Sequence, residues 1–128
     1  MKRLLGIAGA SLFVASRLIA HEGHEHGEKK EELPSGETKK ISGEVVDLVC
    51  YIDHNATGAR HADCAKTCIA AGLPVALKAD DGKTYLLVGE HVPINAELAQ
   101  YAAKKITVEG KVASRDGINM IENAVIQK

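Results

Sequence analysis

ITVEGKVASRDGINMIENAVI, residues 106–126, decides the fold of this chain. Ile106 to Ala113 and Ile118 to Ile126 are runs rich in β-branched and apolar residues, and Arg115-Asp116-Gly117 between them is a turn signal. They read as two strands of a closing hairpin, with Gly110 predicting a bend or bulge in the first. Towards the N-terminus, Val75 to Ala79 and Thr84 to Val88 form another pair around Asp80-Asp81-Gly82-Lys83. Further back, Ile41 to Ile52 carries Val45, Val46, Leu48, Val49 and Ile52 and reads as one strand. With a period of two, Val46, Leu48, Cys50 and Ile52 share one of its faces, so Cys50 is expected at the strand's end, facing inward.

Two helices fit between these runs. Ala59 to Ala71 is Ala-rich and stops at Gly72, with Pro74 just beyond, the usual order at a helix end. Asn95 can cap a second helix running to about Lys105, with Ile94, Leu98, Tyr101 and Ala102 on its buried side. The order is then strand, helix, strand, strand, helix, strand, strand. That is a β-rich α+β chain with the layout of an OB-like five-stranded small barrel; a small open sheet with two helices is the alternative.

The chain has 128 residues, room for one domain. Lys2 and Arg3, the apolar run Leu4 to Ala15, and Leu18-Ile19-Ala20 before a cut after Ala20 read as a secretory signal peptide over 1–20. Arg17 interrupts the apolar run, so no membrane span is expected once the signal is removed. Residues 21–40, HEGHEHGEKKEELPSGETKK, hold one large apolar residue, Leu33, and read as a disordered tail. The folded domain is expected over 41–128. Its setting is periplasmic or secreted.

Cleavage would take Lys2, Arg3 and Arg17 from a chain of net charge −1, leaving −4. An acidic domain with three Tyr and no Trp lacks the basic grooves and stacking faces that nucleic acid requires. Familiar catalytic strings are missing: no H-E-x-x-H, no G-x-S-x-G, no C-x-x-C. A non-enzymatic domain is therefore expected.

What carries chemistry is a short segment spaced C-x10-H-x2-C-x3-C: Cys50, His61, Cys64 and Cys68. On a helix, His61, Cys64 and Cys68 fall at i, i+3 and i+7 along one stripe, which would pack towards Cys50. Three soft sulfurs and an imidazole suit a closed four-coordinate Zn(II) site or a thiolate Cu(I) site. His54, and His21, His24 and His26 in the tail, are weaker candidate ligands. Asp53 and Asp63 flank the cluster and could orient a ligand histidine. Metal buffering, or delivery to a partner protein, is the function this set implies.

Two other uses stay open. In an oxidising compartment Cys50 could bridge to Cys64 or Cys68, closing a loop of about 15 residues worth roughly 3 kcal/mol. The chain would then be a disulfide-stapled structural or interaction module. A thiol redox protein is the third reading, and needs an accessible cysteine of lowered pKa.

Two resemblances accompany these residues. V-x-G-x-V turning through Asp116-Gly117 into the last strand resembles the closing hairpin of bacterial OB-like domains. Cys50, Cys64, Cys68 and Asp81-Gly82 resemble the pattern of a family of small exported bacterial domains of uncharacterised role: a strand Cys, a helical Cys-x3-Cys, then a Gly-rich hairpin. The likeness spans roughly residues 41–126 and implies the barrel and export. The Cys-x3-Cys plus His spacing is also similar to that of exported copper chaperones, whose fold differs.

Overall fold

A computed structural model describes residues 36–128. The segment expected to be a signal peptide, most of the expected tail, and His21, His24 and His26 lie outside the described residues. Five strands form a closed barrel in the ring order β1-β2-β3-β5-β4: β1 (Thr38–Asp47), β2 (Val75–Ala79), β3 (Thr84–Leu87), β4 (Lys105–Arg115) and β5 (Ile118–Gln127). The only parallel pairing among them is β3 with β5; the other four pairings are antiparallel. This is the OB-like barrel expected, closed rather than open. Among the described residues, no helix is long and apolar enough to cross a membrane.

The barrel closes because β1 serves two neighbours in turn. Its first part, Thr38 to Glu44, pairs with β4, and its last part, Gly43 to Asp47, pairs with β2. Gly43 lies where the two ladders overlap, opposite both Ala79 and Ile106. A Cβ at Gly43 would collide with the Lys78 carbonyl and Ala79 Cα, so only glycine lets the strand coil from one partner to the next. Gly110 does a similar job in β4. The register to β5 shifts between Glu109 and Lys111, and a Cβ at Gly110 would meet Glu122 O at 2.6 Å. The bulge expected from that glycine is present.

The interior is filled by Val45, Leu77, Tyr85, Leu87, Val108 and Ile121 from the strands. Two helical elements complete it. α2 (Ala62–Ala70) contributes Ala65 and Ile69, and α3 (Asn95–Leu98), with the 3-10 turn Ala99–Tyr101 that follows, contributes Leu98 and Ala99. The second helix is thus shorter and tighter than the run to Lys105 that periodicity suggested. Asn95 does not cap it. Ile94 occupies the N-cap position, and the Asn95 amide instead donates to the carbonyls of Ile69 and Leu73 at 2.9 and 2.7 Å. Those carbonyls lie at and beyond the end of α2, so Asn95 ties one helix to the other.

The first strand also departs from expectation. It ends at Asp47, and Leu48–His54 forms a short helix, α1. The Asp47 carboxylate accepts from the backbone N–H groups of Val49 and Cys50 at 2.7 and 3.0 Å, the standard way to start a helix. Asn55 ends it in the left-handed conformation (φ 54°). The capping bonds outweigh the β preference of Leu48, Val49 and Ile52, and the face expected to hold Val46, Leu48, Cys50 and Ile52 together does not form. Ile52 is 74% exposed.

Two substitutions test this architecture. Gly43→Ala is expected to destabilise the barrel by about 1–3 kcal/mol, the usual cost of overpacking, read by denaturant titration. Tyr85 is buried, and its hydroxyl donates to Asp81 Oδ2 at 2.7 Å. Burial, then that carboxylate, pushes the phenol up to about 12. Between about pH 10, where the unfolded phenol ionises, and about pH 12, the folded chain alone keeps the proton, so stability falls as pH rises through that window. Tyr85→Phe is expected to cost about 1 kcal/mol at neutral pH and to flatten this alkaline decline.

Candidate metal centre

Residues 48–74 leave the barrel at the end of β1 and return at the start of β2. The two ends meet: Asp47 pairs with Val75, and Leu48 N–H donates to Pro74 O at 2.9 Å. Glu44, lower on β1, accepts from Gly58 N–H and pins the middle of the excursion. With its ends clamped and its middle tied down, the segment folds α1 back against α2. Cys50 is carried by α1; Cys64 and Cys68 lie one turn apart on α2.

The result is a sulfur triangle. One ligand atom from each of Cys50, Cys64 and Cys68 lies within 4.8 Å of the other two. All three cysteines are free, so no disulfide bridges them. Cys64 is exposed, while Cys50 and Cys68 are half-buried. The convergence expected of the three cysteines is present, although His61 is not in the group and Cys50 reaches it from a helix and not from a strand.

The histidines stand differently. His61 ends the 3-10 turn Ala59–His61 just ahead of α2, is half-buried, and makes no capping bond. Its ring is outside the group of three sulfurs. His54 is exposed and paired with Asp53, Nε2 to Oδ2 at 2.9 Å. Asp63 is exposed in the first turn of α2.

The acidic residue that does adjoin the sulfurs is Asp47, which the sequence reading passed over. It is 2% exposed. Its Oδ1 caps α1, and its Oδ2 is buried without a hydrogen-bond partner. Loss of water pushes the Cys68 thiol up to about 12, and the neighbouring Asp47 carboxylate adds to the rise by favouring the S–H form. Cys50 is shifted up as well, first by loss of water, then by the Asp47 charge and by Cys64. The signal that could have found Asp47 is its position: a lone acid in VVDLV, inside an apolar run where a strand would have to bury it.

These shifts separate the chemistries open to the cluster. A redox thiol works as a thiolate and needs a lowered pKa; Cys50 and Cys68 move the other way. A cation reverses the balance, because it replaces the protons and stabilises sulfur as thiolate. Elsewhere, a groove of about 350 Å³ lies along β1, β4 and β5, lined by Ser42, Tyr101, Ile106, Thr107 and Ile126 among others. It includes no cysteine or histidine.

Exposure and these shifts order the thiols. At about neutral pH, iodoacetamide is expected to modify Cys64 first and Cys68 last, read by peptide mass spectrometry over a time course. Equal rates at the two positions would contradict the geometry.

Comparison with protein-family models, with curated proteins and with solved structures returned no match.

Proposed function

We propose that this is an exported, non-enzymatic domain that holds one thiophilic metal ion, Cu(I) or Zn(II), for buffering or for delivery to a partner protein. Cys50, Cys64 and Cys68 supply the sulfurs, and His61, one turn ahead of Cys64, supplies a fourth donor. The observation that carries this reading is the triangle itself: three unbridged sulfurs within 4.8 Å, drawn from two helices. Three converging thiols are more than a single staple uses, and soft sulfur suits soft or borderline cations. The signal-like N-terminus supports export. The balance of basic and acidic residues, with three Tyr and no Trp, supports a reading without a nucleic-acid partner.

The same closeness gives the disulfide reading its support, since a modest approach of Cys50 to either α2 sulfur would bring two of them to bonding distance. A bridged form would have one thiol and no cage. Intact mass distinguishes them: one disulfide removes two protons from the reduced mass.

Reduced protein is expected to bind one equivalent of Zn(II) or Cu(I) in competition with a chromophoric chelator. Cys50→Ser is expected to weaken that binding by ten-fold or more, and His61→Ala to weaken it less. Unchanged affinity in Cys50→Ser would remove the cluster from the account. Because metal must displace the Cys50 and Cys68 protons, affinity is expected to rise with pH between about 6 and 8. The same titration at two pH values checks the sign.

A further inference from the structure

Asp47 brings to the sulfur site an oxygen that no N–H or O–H group uses, and the Cys68 thiol is the group set against its carboxylate. Capping α1 needs one acceptor atom, and Oδ1 provides it to Val49 and Cys50. Ser, Thr or Asn would cap as well. An aspartate brings a full charge and a second oxygen, and here both are buried: the residue is 2% exposed and Oδ2 is without a partner. Leaving such a group unpaired works against stability. Asp47 lies against the triangle: Oδ1 accepts from the Cys50 N–H at 3.0 Å, and its charge bears on the Cys50 and Cys68 thiols.

We propose that Asp47 sets the cation preference of the thiolate site, tilting it towards a divalent ion of zinc's class and away from Cu(I). The inference rests on the metal-binding reading above. Three thiolates and a carboxylate carry four negative charges. A divalent ion offsets two of them and Cu(I) only one, and the share of that difference owed to Asp47 is the least screened, because Asp47 is the buried member of the set. Zinc also fills a four-coordinate shell and accepts oxygen or nitrogen donors, whereas thiolate sites for Cu(I) are satisfied by sulfur. Asp47 is outside the group of three sulfurs. It acts from beside them, through its charge and as the acceptor for the N–H or O–H group that completes a zinc shell.

The test uses the full chain, reduced and kept from oxygen. Zn(II) and Cu(I) affinities are measured by chelator competition for the wild type, Asp47→Asn and Asp47→Ser. Both variants keep an acceptor for the α1 cap. Zinc affinity relative to Cu(I) is expected to fall by about ten-fold or more in each. An unchanged ratio, whether both affinities hold or both fall together, overturns the proposal and leaves the metal site standing. A wild type that binds neither ion overturns the metal site too. X-ray absorption at the zinc edge separates the two claims: three sulfurs with one oxygen or nitrogen supports the metal site, and that same shell retained in Asp47→Asn with an unchanged Zn(II)-to-Cu(I) ratio refutes the role of Asp47.

Discussion

Two hydrogen bonds from Val49 and Cys50 to one carboxylate oxygen of Asp47 govern the arrangement of the site. Without them, the run from Val45 to Ile52 has every reason to continue as a strand. With them, the chain turns out of the sheet at Asp47, and Cys50 is placed in the first turn of α1 facing α2. The barrel then needs only to hold the two ends of the excursion together. The Asp47–Val75 pair and the Leu48–Pro74 bond do so.

Scaffold and site therefore make different demands on the same residue. For the barrel, Asp47 is the last rung of β1. For α1 it is the cap. For the sulfurs it is a fixed negative charge in a place with little water. A capping Asn would meet the first two demands without burying a charge. The third demand is the one that gives the acid a use.

Much of the fold could be read from the chain alone. The hairpins around Gly82 and Gly117 announce themselves through glycines in the left-handed region, and the bulge at Gly110 through a glycine with no room for a side chain. The departures share a cause. At Asp47 and at Asn95, a short polar side chain chose a partner that no local pattern reveals. Asp47 took the amides just ahead and broke a strand. Asn95 reached across to the carbonyls of Ile69 and Leu73, and its own helix shrank to a turn of α and a turn of 3-10. The cysteine triangle was legible because Cys64 and Cys68 share a helical stripe. Which element carries Cys50 depends on the cap, and that was not.

The ring order has a consequence for how the chain comes to be folded. β5 is the bridge between β3 and β4, so the barrel cannot be joined until the last residues are available. The cysteines all precede residue 70 and emerge well before that. The clamps of the cysteine segment belong to β1 and β2 and do not wait for β5, so the thiols can be gathered while the barrel is still open, and long-range strand pairing is a slow step. Whichever reaches them first in that interval, oxidant or cation, chooses the form in which the finished barrel is sealed.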